Sequence, residues 1–271
     1  MMPARPDSSG NLRLIIDPPS SGARNMAVDQ ALFEQVAHSD RPVLRFYQWE
    51  QPTLSLGYFQ RAAARAEHAA SRTCPMVRRS TGGGAIIHDA ELTYCLAIPR
   101  NRLPAPLRAD AGRLYGIVHR AAAVALAKWN ITMTPAETCG QATPCARSHP
   151  SQTPFLCFQH ITIQDGLIGR HKVLGSAQRR SRWAVMQHGS LLWRQSPAAP
   201  ELPGIADLVP HAPHWSESTR EAVTGAWRDA ICRTFGWPIP DHLDELSNAE
   251  SQAAARLVRC RYGNAEWNGR R

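Results

Sequence analysis

Apolar residues recur at helical spacing near the start of the chain. In the stretch GARNMAVDQALFEQVAHSD they occupy positions 26, 27, 31, 32 and 36, which places them on one face of a helix. The next stretch, PVLRFYQWEQPTLSLGYFQ, alternates apolar and polar residues and is interrupted by Pro52, as expected for two strands joined by a turn. The pattern therefore predicts a helix followed by a β unit.

The two stretches that follow continue this mixture. A strand, a glycine-rich turn and then another strand or a hairpin are predicted for CPMVRRSTGGGAIIHDAELTYCLAIP. An amphipathic helix is predicted for LRADAGRLYGIVHRAAAVALAKWN, because its apolar residues recur three and four positions apart. The predicted apolar face of this helix consists of Leu114, Ile117, Val118, Ala121, Val124 and Ala125.

The second half of the chain begins with a loop rich in Pro, Thr and Ser, from Pro135 to Pro154. Several strands are predicted for FLCFQHITIQDGLIGRHKVLGSAQRRSRWAVMQHGSLLW, with turns at Asp165-Gly166 and Gly175-Ser176. From Pro210 onwards the pattern predicts helices. Strands mixed with helices, without an internal repeat, indicate an α+β (mixed α/β) fold.

A length of 271 residues favours one large domain. We place an N-terminal extension at residues 1–23 and the domain at residues 24–271. No stretch approaches the roughly 18 apolar residues of a membrane helix, and the N-terminus MMPARPDSSGNLRL lacks the apolar run of a signal peptide. We therefore expect a cytoplasmic protein that has no membrane partner.

Seven cysteines are scattered along the chain without the dense spacing of a secreted disulfide framework, so we expect reduced thiols. Cys139, Cys145 and His149 invite interpretation as a zinc site, but their spacing is not the CxxC of a zinc ribbon or finger. A surface loop is the favoured interpretation of this segment, and we predict no metal site.

The formal net charge of +9 predicts an acidic partner, which charge alone does not identify. Among the 31 Lys+Arg residues only Lys128 and Lys172 are lysines. A lysine inside a motif of this chain is therefore informative, because its compact ammonium differs from the broad planar guanidinium of arginine. Lys128, which lies in no motif, shows that lysines also occur here by chance.

Residues 78–94, RRSTGGGAIIHDAELTY, place three glycines two residues after a pair of arginines. The run fits neither the GxxxxGK[ST] nor the GxGxxG phosphate-binding pattern. A tight hairpin turn or low complexity would explain the glycines structurally. Glycines also let the backbone approach a ligand closely and expose N–H donors, and with Arg78 and Arg79 alongside we favour a ligand-binding turn.

This run is similar to the RRxTGGGAVxHDxELTY signature of the lipoate-protein ligase A and lipoyl/octanoyltransferase superfamily. Other stretches resemble the same superfamily and cover most of residues 24–268. These are NMAVDQALFE (its first helix), PVLRFYQWEQPTLSLGYFQ (its first hairpin), CF at 157–158, GRHKVLGSAQRRSRWAVMQHGSLLW (its second half) and EWNG (its terminal strand or helix). The resemblance implies a biotin/lipoate protein ligase-like catalytic domain, a mixed β-sheet flanked by helices.

The superfamily contains ATP-dependent ligases and thioester-dependent transferases, and both keep the motif lysine, here Lys172. Cys157 stands 15 residues before Lys172, which resembles the octanoyltransferases of the LipM type and implies a nucleophilic cysteine. An unperturbed thiol has a pKa of about 8.5, and an adjacent ammonium favours the thiolate. The structural alternative is a core thiol packed among Phe155, Leu156 and Phe158. With the motif we favour Cys157 and Lys172 as catalytic residues.

The resemblance also implies a set of substrate-binding residues on both halves of the domain, and neither a cofactor nor a metal. His88, with Asp89, and His188 have a structural alternative, since each could simply hydrogen-bond at a strand end. The implied substrate-binding residues are Arg78, Arg79, Ser80, Thr81, Gly82, Gly83, Gly84, His88, Gly175, Ser176, Ala177 and His188.

The implied reaction moves an octanoyl group from acyl carrier protein, through a cysteine thioester, to a lysine of a lipoyl domain. That acceptor would be the glycine-cleavage H protein or a 2-oxoacid dehydrogenase E2. Two enzyme alternatives stay open: an ATP-dependent lipoate ligase, disfavoured by the short chain after EWNG, and a lipoyl-domain amidotransferase. A nucleic-acid-binding module would suit the net charge, but no winged-helix segment precedes Arg24, and we predict no nucleic-acid partner.

Overall fold

The structure is a computed structural model that describes residues 11–139 and 154–270. Two β-sheets lie at its centre. The strands within these residues are β1 Arg13–Ile16, β2 Val43–Tyr47, β3 Thr53–Leu56, β4 Met76–Arg78, β5 Ile86–His88, β6 Glu91–Pro99, β7 Thr134–Pro135, β8 Gly166–Ile168, β9 His171–Arg180 and β10 Ala184–Leu192. The α-helices are α1 Gly22–Val36, α2 Ala105–Ala109, α3 Ala111–Leu126, α4 Ile205–Leu208, α5 Glu217–Phe235, α6 Asn248–Leu257 and α7 Ala265–Gly269. The predicted α+β fold class is confirmed.

The larger sheet has seven strands in the order β1-β2-β6-β10-β9-β8-β7. Only the β1–β2 pair is parallel, and the other neighbours are antiparallel, so the sheet is mixed. A smaller sheet of order β4-β3-β5 also combines a parallel and an antiparallel pair. The long central strands β6 and β10 are buried along their whole length, which gives the site a rigid support.

Helices cover both faces of the larger sheet. α1 and α6 bury Ala27, Leu32 and Ala254 against one face, and α3 and α5 bury Leu114 and Trp227 against the other. The prediction of α1 is confirmed. Its first turn is capped by Ser21, whose side chain accepts a hydrogen bond from the backbone N–H of Arg24.

The apolar face predicted for α3 is confirmed except at one position. Leu114, Val118, Ala121 and Ala125 are buried, whereas Val124 is 55% exposed. Ala122 and Leu126, outside the predicted face, are buried. The buried stripe of α3 is therefore rotated around the helix axis, away from Val124 and towards these two residues.

The predicted hairpin over residues 42–60 is wrong, although both of its strands exist. β2 pairs with β1 and β6 in the larger sheet, whereas β3 pairs with β4 and β5 in the smaller one. Alternation of apolar and polar residues predicts strands but does not specify their partners. Each of the two strands is buried along its whole length between other elements.

The turn predicted at Gly175-Ser176 is also wrong, because both residues lie inside β9. The chain turns instead at residues 169–170, between β8 and β9, where Gly169 has a φ of +57°. The turn predicted at Asp165-Gly166 lies slightly earlier in the chain. The N–H of Asp165 closes it by donating to the carbonyl of Thr162, and Gly166 is the first residue of β8.

Part of the segment assigned to an N-terminal extension, Arg13–Ile16, is the edge strand β1 of the larger sheet. The division at residue 24 stays a prediction. Of the proposed zinc ligands, Cys145 and His149 lie outside the described residues, and so does the side chain of Cys139. Within the described residues, no cluster of three or more His, Cys, Asp or Glu side chains is arranged to hold a metal. None of the described helices is long and apolar enough to span a membrane.

Candidate active site

Cys157 lies beside the glycine turn that precedes β5. Its backbone N–H donates to the carbonyl of Ala85 at 2.7 Å, and the N–H of Ala85 donates to the carbonyl of Phe155 at 2.9 Å. This short strand-like pairing holds residues 155–157 against the end of the turn. Cys157 is half-buried, so its thiol is neither sealed in the core nor freely exposed.

Close packing explains two of the three glycines in the turn. A Cβ atom on Gly84 would lie 2.9 Å from the backbone nitrogen of Cys157 and 3.0 Å from its Cα. A Cβ on Gly83, whose φ is +95°, would lie 3.9 Å from the Cys157 Sγ. The absence of side chains in the turn therefore allows the cysteine backbone and thiol to lie directly against it.

Gly84→Ala is expected to lower the turnover by up to about 100-fold with the fold retained, because the new methyl group must displace the backbone of Cys157. Gly82→Ala is the matched control within the same turn. Its methyl group would meet only the ring of Phe59, at 3.7 Å, so we expect a loss of at most a few-fold. Initial rates and thermal unfolding of the two variants provide the comparison, and equal losses would contradict the packing argument.

Lys172, at the start of β9, points its ammonium at Cys157. The Nζ lies 3.8 Å from the Cys157 Sγ, 2.8 Å from an Asp165 carboxylate oxygen and 3.1 Å from the His160 carbonyl oxygen. Burial alone would lower the pKa of Lys172, but the neighbouring charges of Cys157 and Asp165 outweigh burial and raise it. The amine is therefore a fixed buried cation beside the sulfur.

Asp165 and His119 were not predicted from the sequence as members of this site. Asp165 also accepts hydrogen bonds from the backbone and side chain of Thr162, so its carboxylate is held in place. His119, on α3, hydrogen-bonds to the Gln164 carbonyl and to the Ser176 hydroxyl. Burial lowers the pKa of His119 to about 4, which leaves the ring neutral at neutral pH. A lone histidine in an apolar helix gave no sequence signal for this contact.

Arg79 shapes the glycine turn from beneath. Its guanidinium donates to the carbonyls of Gly82 and Gly84, each at 2.7 Å, and to the carbonyl of Ser55. Burial lowers the pKa of Arg79, and its Nε is buried with no hydrogen-bond partner in the part of the chain that the structure describes. Arg79 therefore supports the glycine turn, and its role in substrate binding stays a prediction.

Arg78 points away from the cleft, in contrast to the substrate-binding role that the resemblance implied. It is fully buried, and its guanidinium donates to the carbonyls of Gln60, Asn268 and Arg270. These contacts join the segment after β3 to the end of α7. The position of Arg78 supports a structural role. Ser80, two residues later, accepts a hydrogen bond on its carbonyl from the Arg179 side chain.

His188 belongs to a buried chain of polar contacts. One ring nitrogen lies 2.7 Å from the Thr81 hydroxyl and the other 2.9 Å from an Asp29 carboxylate oxygen. Burial alone would raise the pKa of Asp29, but the hydrogen bond from His188 and the charge of Arg45 outweigh burial and lower it. This chain connects α1 to the residue immediately before the three glycines, and the sequence did not reveal Asp29.

His88 occupies a second polar cluster. Its ring lies 2.7 Å from the Ser55 hydroxyl and 2.6 Å from a Glu91 carboxylate oxygen, and it stacks on Trp49 with ring centroids 3.9 Å apart. His88 and His188 are both involved in structural contacts, as the structural alternative expected, and both also line the cleft described next. Asp89 instead accepts a hydrogen bond from Ser196.

A cleft brings the two halves of the motif set together. Its lining includes eight of the predicted site residues: Arg79, Gly82, Gly83, His88, Cys157, Ser176, Ala177 and His188. Met26 and Ile86 add apolar surface. Thr81, Gly84, Gly175 and Lys172 do not line the cleft but directly contact or support residues that do.

Comparisons with known proteins identify the family of this chain. The octanoyltransferase LipM of Kyrpidia tusciae is 34% identical over 96% of this chain and 98% of its own length, and that of Brevibacillus brevis is 29% identical over 96% and 99%. A putative lipoate protein ligase from T. acidophilum, solved with bound lipoic acid, has the same fold, with a TM-score of 0.73 at 21% identity over 96% of this chain and 99% of that one. Residues 21–201 match the lipoyl protein ligase A/B catalytic domain. As the glycine motif predicted, the chain belongs to the lipoyl protein ligase A/B catalytic-domain family.

Proposed function

We propose that this protein, an octanoyltransferase of lipoate biosynthesis, carries the octanoyl group on Cys157 between two partner proteins. The donor is the thioester of octanoyl-acyl carrier protein. The acceptor is a lysine amine of a lipoyl domain, such as the glycine-cleavage H protein or a 2-oxoacid dehydrogenase E2. The distance of 3.8 Å between the Lys172 Nζ and the Cys157 Sγ, at the edge of the cleft, carries the proposal.

In the first step the Cys157 thiolate attacks the carbonyl carbon of the donor thioester. A new carbon–sulfur bond forms, the bond to the carrier sulfur breaks, and the carrier leaves as a thiolate that takes a proton from water. The buried Lys172 ammonium favours the attacking thiolate by its charge. Because Asp165 also contacts Lys172 at 2.8 Å, the ammonium keeps its position when the sulfur becomes a neutral thioester.

The same ammonium stabilises the negative oxygen that forms during each attack. A cation fixed in a partly dehydrated site stabilises developing charge more than it would in water, and without reorganisation. Lys172 satisfies both conditions, since its side chain is 3% exposed and held by Asp165. The glycine turn carries no side chains, so its backbone lies next to Cys157.

In the second step the acceptor amine attacks the Cys157 thioester. The carbon–nitrogen bond forms, the Cys157 sulfur leaves, and the amine loses a proton. Exchange of one thioester for another costs little free energy, and conversion of a thioester to an amide is strongly favourable. The sequence of steps therefore needs no ATP, which separates it from the ligase alternative.

The proposal is tested by intact-protein mass spectrometry after mixing the protein with octanoyl-acyl carrier protein in the absence of ATP. The mass is expected to rise by one octanoyl group, which hydroxylamine removes because a thioester is labile to it. Added lipoyl domain should then receive the group. An ATP-dependent ligase would stay unmodified by the carrier-bound donor, and it would acylate the lipoyl domain only when ATP and free octanoate were supplied. A lipoyl-domain amidotransferase would accept the group from an octanoylated lipoyl domain and not from the carrier. Either result would overturn the proposal.

A further inference from the structure

A second groove, of about 480 Å³, lies where β9 turns into β10. The end of α1, the turn Arg100–Arg102, α2 and the β9–β10 turn form its walls. Arg100, Arg108 and Arg182 line it beside Trp183. We call this surface the arginine groove. It shares no lining residue with the cleft at Cys157.

Three arginines and one carboxylate, Asp40, line the arginine groove, so its net charge is positive. In the part of the chain that the structure describes, Arg100, Arg108 and Arg182 form no salt bridge. Burial, followed by repulsion from Arg100, lowers the pKa of the adjacent Arg180. Like charges held together in this way destabilise the folded chain, and they are better explained by an anionic partner than by stability.

The walls of the groove are fixed to one another by main-chain contacts. The Arg180 guanidinium donates to the carbonyls of Leu107 and Arg108, each at 3.3 Å. The Arg100 backbone N–H donates to the carbonyl of Trp183 at 2.7 Å. These bonds join α2, the turn after β6 and the β9–β10 turn. The surface is therefore organised before a partner arrives, which reduces the entropic cost of binding.

Trp183 gives the groove the composition of a protein-binding surface. Its side chain is 56% exposed, and the Arg182 guanidinium lies 4.4 Å from the ring centroid. Exposed tryptophan and arginine are the residue types that contribute most to the energy of protein interfaces. Asp40 also lines the groove and accepts a hydrogen bond from Asn101, and its single negative charge is outnumbered by the three arginines.

β9 joins the groove to the cleft and sets the distance between them. Ala177 of β9 lines the cleft, and Arg182, which lies two residues beyond the end of β9, lines the groove. An acceptor lysine must reach Cys157 on its own four-carbon stem, so its domain has to dock beside the cleft. A carrier protein presents its acyl group on a long flexible prosthetic arm and can dock farther away.

We propose that the arginine groove docks an acidic face of the acyl carrier protein while the acyl thioester reaches Cys157 along β9. This inference rests on the proposed function and names the surface that its donor uses. Electrostatic docking of this kind acts mainly on the rate of encounter. A small thioester, which has no protein surface to dock, does not depend on it.

The test compares two donors, octanoyl-acyl carrier protein and octanoyl-N-acetylcysteamine, with the full-length protein. The double variant Arg100→Glu/Arg182→Glu reverses two charges in the groove. The double variant Arg120→Glu/Arg233→Glu makes the same change in net charge on the outer side of α3 and α5. In the groove variant, kcat/KM for the carrier donor is expected to fall about tenfold or more, with the small thioester unaffected. The control variant should change by less than about twofold with either donor.

Three results would overturn the docking proposal. Equal losses in the two double variants would indicate a general effect of net charge. Equal losses with the two donors would indicate damage to the cleft. A higher KM for the lipoyl domain, with unchanged kinetics for the carrier donor, would assign the groove to the acceptor. Failure of the wild-type protein to take octanoyl from either thioester is a distinct outcome that contradicts the proposed function itself.

Discussion

Cys157→Ser is expected to reduce octanoyl transfer by on the order of 1,000-fold or more, as for loss of other catalytic nucleophiles. The hydroxyl group of serine stays protonated at neutral pH and needs an adjacent base, whereas a thiol needs only an adjacent cation to become a nucleophilic thiolate. The Lys172 ammonium, 3.8 Å from the sulfur, has no free lone pair with which to act as a base. The variant therefore retains the cation but lacks a competent nucleophile.

The measurement is the initial rate of transfer from octanoyl-acyl carrier protein to a lipoyl domain, together with the mass of the protein. Any acyl group that the serine variant acquired would be an oxygen ester, which resists mild hydroxylamine. Cys260→Ser is the matched control, because Cys260 is exposed on the helical turn Val258–Tyr262, and it should keep full activity. Full activity in Cys157→Ser would refute the thioester mechanism.

The contact between Cys157 and Lys172 shows which features of the site could be predicted from the sequence. Motif resemblance predicted that both residues belong to one site, although the linear spacing does not show a contact. The structure brings them together through the β8–β9 turn, which returns the chain antiparallel after the cysteine loop. Prediction therefore succeeded where a whole motif carried the information, and the local pattern alone would have left Cys157 as a core thiol.

The acidic members of the site could not be predicted in the same way. Asp165 resembled a turn residue beside Gly166, and Asp29 resembled an ordinary polar residue of α1. Their roles depend on partners that are distant in sequence or lie across a strand turn: Lys172 for Asp165, and His188 for Asp29. Periodicity describes which face of an element is buried, but it does not describe which charges meet inside the fold.

The two adjacent arginines of the motif, Arg78 and Arg79, have different roles in the structure. The sequence predicted one role for both, because they stand together before the glycines. In a strand, successive side chains point to opposite faces, and here the two guanidinium groups separate at the end of β4. Arg79 lies under the glycine turn and Arg78 binds carbonyls near α7. Adjacency in sequence was therefore a poor guide to shared function.

Lys172→Arg is expected to lower octanoyl transfer by about 100-fold or more, although it keeps the positive charge. The lysine stem lies against the backbone of β9 so closely that a Cβ atom on Gly175 would stand 2.5 Å from the Lys172 Cε. A guanidinium is planar and longer than an ammonium, so it does not fit between Gly175, Asp165 and Cys157 in the same position. The charge would move away from the sulfur and from the carbonyl oxygen of the bound thioester.

Lys128→Arg is the control for this substitution, since Lys128 is the other lysine of the chain and is exposed. It should keep normal rates. Single-turnover acylation of Cys157, followed by mass, separates a slow first step from a fold defect, which thermal unfolding would reveal.

A second variant, Asp165→Asn, keeps the lysine but removes the carboxylate that holds its ammonium in place. Acylation of Cys157 should then slow by about tenfold. Near-normal acylation in Lys172→Arg would reduce Lys172 to a generic cation, because any positive charge placed nearby would then serve the thiolate equally well.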